Sequence, residues 1–288
     1  MYLFAQAAIL GIIQGLTEFI PISSSAHLVI VPWLFGWHSR VLTSLPFDVA
    51  LHAGTLMAVL CFFFSDWMRL VRAGFKSILV RKIGGDVDRR LAWMLVIGCI
   101  PGAIAGALCE HKIEKLFHQP NVPMHASSLI AMAVIIAFLA ALLFIAERIS
   151  KHLRAMESLS FKDAIIIGVA QALAIFPGIS RSGATITAGL AIGLKRDVAA
   201  RFSFLLSAPI IAGAALKSLW EVYKQLKIET FTASDGALFA IGGFAAALSG
   251  FLCIKFLLRF LQKNSTDIFV YYRWVFAAII IAVVLTRG

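Results

Sequence analysis

The chain has 288 residues, 60% of them hydrophobic and only 14% charged, with a formal net charge of +11. That composition excludes an ordinary soluble domain and fits an integral membrane protein. The basic excess falls in clusters between apolar runs, which orients a membrane chain by the positive-inside rule and makes a nucleic-acid partner unnecessary.

From the amino terminus, MYLFAQAAILGIIQGLTEF has no basic leader and no small-residue cleavage site, so it belongs with the mature fold rather than with a removable signal. Residues 3–36 form an apolar stretch broken near its middle by FIPISSS. Proline, together with serines that compete for backbone hydrogen bonds, ends helices at such a break. A complete span is expected at Phe47–Ser65, then a basic loop from Asp66 to Arg90, then spans at Leu91–Cys109 and Ser127–Ala146. After a second basic stretch, 148–163, residues 164–194 form another apolar segment broken in the middle, by PGISRSG. Spans at Ala199–Leu219, Ala237–Leu258 and Phe269–Leu285 complete the chain. None of the runs shows the period-two alternation of a membrane barrel, so the spans are helical. The four cysteines, Cys61, Cys99, Cys109 and Cys253, lack metal-ligand spacing and read as small hydrophobes.

The two broken stretches are copies. AAILGIIQGLTEFIPISSSA, from Ala7, aligns with AIIIGVAQALAIFPGISRSG, from Ala164, at a constant offset that pairs Gly11 with Gly168, Gln14 with Gln171, Phe19 with Phe176, Ser23 with Ser180 and Ser25 with Ser182. The second stretch starts and ends beside basic segments, on the cytoplasmic side. The first must start and end on the opposite face. Residues 1–150 and 160–288 are therefore expected to be two inverted-topology repeats of one membrane domain. Paired broken segments in inverted halves point to a site near the membrane midplane, because irregular backbone at that depth survives only in a cavity or inside protein.

Two constellations carry chemistry. In PGISRSGAT, 177–185, Arg181 stands at membrane depth, where an arginine costs about 2.5–3.5 kcal/mol on insertion scales. It needs an anionic partner or a wet cavity. Its planar fork suits phosphate or carboxylate oxygens, Ser180, Ser182 and Thr185 add hydroxyls, and Gly183 allows close backbone approach. A plainer alternative pairs Arg181 with Glu18 as structural glue. In the first copy, Gln14 and Glu18 share a helix face that leads to Ser23, Ser24, Ser25 and His27. A carboxylate and an imidazole near a hydroxyl are the parts of an activated oxygen nucleophile, whereas Glu18 with Gln14 is also a donor set for a divalent cation. The serines alone would serve equally as helix caps. Asp48 and His52, four apart, are either neighbours of the site or an interfacial pair, and the remaining histidines, His118 and His125 among them, have no ligand spacing.

QGLTEFIPISSSAH (14–27) and PGISRSGAT, supported by FSFLLSAP (202–209), closely resemble the undecaprenyl-diphosphate phosphatase family associated with bacitracin resistance. The resemblance implies an all-α integral membrane enzyme of six full transmembrane helices and two re-entrant helical hairpins. It also implies removal of the terminal phosphate of a C55 isoprenoid diphosphate, recycling the lipid carrier of peptidoglycan synthesis. The site would open to the outer, periplasmic face of the bacterial cytoplasmic membrane. Family activity implies a divalent cation, Mg2+ or Ca2+; the expected partners are the lipid substrate and membrane lipids, with a homodimer as an allowed assembly. Glu18 matches the second acid of the family's Glu/Gln-xxx-Glu motif, and Gln14 is the glutamine form of the first. Ser24, His27, Ser180, Arg181, Ser182 and Thr185 match in place, while Ala26 replaces a frequent glycine. The expected chemistry has Ser24 attacking the terminal phosphorus, His27 as base and then acid, and Glu18 orienting His27 or holding the cation. In a second version Glu18 and a cation activate water. The rival from another class is a polyprenyl-phosphate transporter or flippase, since broken helices in inverted repeats are common in transporters.

Overall fold

The computed structural model describes residues 2–117, 126–176, 178–225 and 232–287. Pro177, His118 and His125 lie outside the described residues, as does the side chain of Cys109. The described chain folds into eleven α-helices: α1 Tyr2–Phe19, α2 Ser24–Phe35, α3 Leu45–Phe62, α4 Phe64–Leu79, α5 Val87–Phe117, α6 Ala126–Ile149, α7 Phe161–Ala172, α8 Arg181–Ala191, α9 Arg196–Gln225, α10 Ala233–Leu261 and α11 Asp267–Arg287. Seven of these are long and apolar enough to cross a membrane. Six of the seven coincide with the expected spans, and the seventh is α1, the first arm of the first broken stretch. The protein is thus an all-helical, multi-pass membrane protein.

Both expected breaks are present. Between α1 and α2 the chain turns at residues 20–22, and Ser23 stands at φ 79, a region that side-chain-bearing residues seldom occupy. Between α7 and α8 a short 3-10 turn, Leu173–Ile175, precedes Gly178 at φ 91, where only glycine is free of strain. The basic stretch expected as a loop from Asp66 is instead largely helical. In α4, Phe64, Met68, Val71, Phe75 and Ile78 recur at helical spacing and are exposed, opposite a basic face. Such an amphipathic helix lies along a membrane surface rather than across it.

Close backbone approach holds α1 against α10 and α7 against α5. A Cβ placed on Gly11 would overlap the Gly242 carbonyl oxygen, and one on Gly168 would overlap the Gly98 carbonyl oxygen. Gly54 of α3 meets Gly243 of α10 in the same way. Apolar helices in lipid gain no hydrophobic drive from associating, so this contact between small residues is what binds them.

Ion pairs tie the basic segments together at one end of the bundle. Buried Glu147 at the end of α6 accepts from Arg196 of α9 and, at 2.9 Å, from Thr266 just before α11. Arg201 reaches Asp66 at 2.6 Å, and Arg154 grips Asp163 with two nitrogens at 3.1 and 2.6 Å. Burial opposes ionisation of Asp163, but hydrogen bonds from Arg154 and Ser160 hold its carboxyl below the usual carboxylate range.

The glycine contacts are directly testable. Gly11→Ala and Gly168→Ala should each lower the melting temperature of the detergent-solubilised protein, by a loss of about 1–3 kcal/mol from overpacking. Gly236→Ala, where an added Cβ meets nothing within 4 Å, should be neutral or slightly stabilising. Equal melting temperatures for all three would contradict the packing described.

Candidate active site

On α1, Gln14 and Glu18 stand one turn apart, and the Gln14 amide donates to Glu18 Oε2 at 3.1 Å. The turn at residues 20–22 reverses the chain, so Ser24, the first residue of α2, returns to the same carboxylate. Its hydroxyl donates to Glu18 Oε2 at 2.7 Å. The strained Ser23 between them is the local cost of that reversal. Ser23 occupies the N-cap position of α2, yet its hydroxyl caps no amide there. The cap reading of the first serine cluster therefore does not describe this loop.

The second break behaves differently. Ser180 caps α8, accepting from the Gly183 amide at 3.1 Å, and its hydroxyl lies 3.1 Å from that of Ser182. Arg181, the first residue of α8, donates to Glu18 Oε1 at 2.8 Å. Ser182 donates to the Ile20 carbonyl at 3.2 Å, and the Gly178 amide approaches the exposed Ser25 hydroxyl at 3.5 Å. The two breaks thus face each other. Glu18 is 7% exposed, and the Arg181 side chain retains 20% of its surface. The ion pair weighed as structural glue exists, and it leaves part of the guanidinium open.

His27 does not take the place expected of it. Its Nδ1 lies 2.6 Å from the Ser23 carbonyl, which can only accept, so Nδ1 carries the proton. Nε2 then accepts from the Tyr272 hydroxyl at 2.7 Å, and Phe276 stacks on the ring at a centroid distance of 4.2 Å. No hydrogen bond joins His27 to Ser24 or Glu18. The geometry of a serine held by a histidine base is therefore corrected: Glu18 itself holds the serine, and His27 braces the Ser23 turn against α11.

Thr185 is also turned away from an open cradle. Its buried hydroxyl donates to the Arg181 carbonyl at 2.8 Å and lies 2.5 Å from the Ser203 hydroxyl of α9. In this structure it anchors the first turns of α8 to α9. Gly183 sits in the first turn of α8 and has Arg273 against it, so that a Cβ there would overlap the guanidinium. Sequence reasoning did not single out Arg273, which follows the α11 start at Asp267 by nearly two turns. It also missed Tyr272 and Ser203. Of the pair weighed beside the site, His52 bonds through Nδ1 to the Asp48 backbone carbonyl at 2.9 Å and lies near enough to Glu18 to act on it electrostatically.

The assembled group has one carboxylate in contact with a hydroxyl, an amide and a guanidinium, beside the amino end of a helix. That combination is suited to bind an anion and to take a proton from Ser24. Thr185→Val should leave the Ser203 hydroxyl buried without a partner, at about 1–3 kcal/mol, and lower the melting temperature; Thr185→Ser should restore it. A Thr185→Val protein as stable as the parent would contradict the anchoring role.

A family model described as bacitracin resistance protein BacA matches residues 7–279. A protein of Thermodesulfovibrio yellowstonii named undecaprenyl-diphosphatase is 44% identical over 98% of both chains. One of the same name from Caldicellulosiruptor bescii is 44% identical over 98% of both, and one from Thermomicrobium roseum is 43% identical over 97% of both. The chain belongs to the bacitracin resistance protein BacA family.

Proposed function

We propose that this member of the bacitracin resistance family is a membrane undecaprenyl-diphosphatase, which hydrolyses undecaprenyl diphosphate to undecaprenyl phosphate and inorganic phosphate. The observation that carries the chemistry is the contact of Ser24 with Glu18 at 2.7 Å, with Arg181 on the other oxygen of the same carboxylate. The names of relatives that align along nearly the whole chain supply the substrate. A transport reading has no comparable support.

In the mechanism, Arg181 and the amide end of α8 draw the terminal phosphate to the carboxylate. Phosphoryl transfer needs charge neutralisation and in-line placement more than covalent assistance. Glu18 accepts the Ser24 proton as Ser24 Oγ forms a bond to the terminal phosphorus. The bond from that phosphorus to the bridging oxygen breaks, releasing undecaprenyl phosphate and leaving a phosphoserine. The leaving phosphate oxygen takes that proton from Glu18, which then accepts a proton from water as the water oxygen attacks the phosphoserine phosphorus. The bond from phosphorus to Ser24 Oγ breaks, Oγ recovers the proton from Glu18, and inorganic phosphate is released. Ser182 keeps the two breaks in register throughout, and His27 holds the first against α11.

A divalent cation fits this donor set in a limited way. Among the described residues no group of three His, Cys, Asp or Glu side chains converges. Gln14 Oε1, however, is buried without a hydrogen-bond partner beside Glu18. Glu18 and Gln14, with diphosphate oxygens completing the shell, would hold Mg2+ or Ca2+. When bound, it would neutralise phosphate charge.

The inverted repeat is part of the same reading. Gly11 and Gly168, equivalent in the sequence alignment, each press on a helix carbonyl, of Gly242 and Gly98 respectively, so α1 on α10 and α7 on α5 are matching contacts. On this reading residues 1–150 and 160–288 are the two units, α1–α2 and α7–α8 are re-entrant hairpins, and six helices span. With the basic end of the bundle in the cytoplasm, the mouth of α1–α2 faces the periplasm.

The purified protein should release phosphate from undecaprenyl diphosphate. Ser24→Ala and Glu18→Gln should each lower kcat by at least about a hundredfold, and Arg181→Lys by about ten- to a hundredfold through loss of the fork. Near-normal release by Ser24→Ala would eliminate the serine nucleophile in favour of water activated at Glu18. Absence of release by the parent protein would eliminate the enzyme.

A further inference from the structure

Among the described residues Arg273 heads the large, fully buried side chains, 1% exposed, and its Nε, Nη1 and Nη2 have no hydrogen-bond partner there. A buried guanidinium without compensation costs several kcal/mol, so the fold retains it against a substantial penalty. The groups around it sharpen the problem. Its guanidinium lies against Gly183, in the first turn of α8, and within electrostatic reach of His27. Helix amino ends carry a partial positive charge, and the amides of Arg181 and Ser182 precede the first intrahelical hydrogen bond of α8. No carboxylate among the described residues bonds Arg273, and the Glu18 carboxylate of the site is already engaged by Arg181, Ser24 and Gln14.

Arg181 begins α8 and Arg273 lies against Gly183 of its first turn, while the acid bonded there is held by Arg181. Only an anionic ligand balances that set, and Gly183 is the residue that lets the second guanidinium approach the helix end. We infer that Arg273 is the second cationic anchor of the headgroup site, so that Arg181 and Arg273, flanking the first turn of α8, together select a diphosphate over a monophosphate. The inference rests on the phosphatase reading and deepens it. A diphosphate engages both guanidinium groups, whereas either monophosphate product leaves one of them unsatisfied. Product release follows from the same geometry, since cleavage removes the feature by which the substrate is held.

The test uses the full-length protein in detergent, with inorganic pyrophosphate and inorganic phosphate as separate probes and binding measured by calorimetry. The parent protein should bind pyrophosphate at least about tenfold more tightly than phosphate. Arg273→Lys and Arg273→Gln should weaken pyrophosphate binding about ten- to a hundredfold and change phosphate binding by less than about threefold, in variants whose melting temperatures match the parent. Gly183→Ala keeps the charge but displaces the guanidinium, and should give the same selective loss; it carries the test if the Arg273 variants do not fold. Equal weakening of both probes, or pyrophosphate binding indifferent to all three changes, would overturn the inference. Selective pyrophosphate binding through Arg273 in a protein that releases no phosphate from the lipid would sink the phosphatase reading alone. Lipid turnover with binding insensitive to Arg273 would sink the second anchor alone.

Discussion

The bond between Glu18 and Arg181 is the constraint on which the site depends. It joins two helix breaks 163 residues apart in sequence and gives each charge its partner. An unpaired charge buried in an apolar bundle is costly, so each is the other's nearest solution. The pair is not sealed, however. Ser24 and Gln14 share the second carboxylate oxygen, and one face of the guanidinium stays open. A buried ion pair that only stabilised the fold could be replaced by packed hydrophobic residues at little loss. Here the pair sets a carboxylate against a serine hydroxyl at 2.7 Å, the contact that the proposed chemistry uses.

Everything around that bond limits how far the breaks can move. Gly11 on Gly242 and Gly168 on Gly98 fix the axial positions of α1 and α7, the arms that deliver the two loops. Ser182 holds the Ile20 carbonyl, and His27, clamped between the Ser23 carbonyl and Tyr272, ties the first loop to α11. Thr185 and Ser203 fasten the start of α8 to α9. At the far end of the bundle, Glu147 gathers α6, α9 and the start of α11. The site can therefore be built from irregular backbone because rigid helices close off the alternatives.

How much of this was legible in the sequence depended on the type of signal. Hydropathy marked six spans well because twenty apolar residues in a row have few other uses. The two breaks were legible from Pro21, Gly178 and the serines. Rotation and depth were not legible. Nothing in the spacing singled out Arg273, which the start of α11 at Asp267 places nearly two turns inside the helix. Tyr271, Tyr272 and Trp274 around it, apolar enough to lie within a span, were the available hint. Spacing could not show that the His27 ring nitrogens meet the Ser23 carbonyl and Tyr272, or that the Thr185 hydroxyl meets Ser203 on another helix. The stretch after Asp66 was read as a loop because its charges hid the helical period of Phe64, Met68, Val71 and Phe75.

The central claim is that the two breaks meet to make Ser24 a phosphoryl acceptor with Glu18 as its base. Acid quenching of the purified protein during turnover of undecaprenyl diphosphate, followed by peptide mapping by mass spectrometry, tests it most directly. The account predicts a phosphate on Ser24 that accumulates early in turnover and is missing in Glu18→Gln. Full turnover with an unmodified Ser24 at every quench time, or a phosphate mapped to another residue, would contradict it.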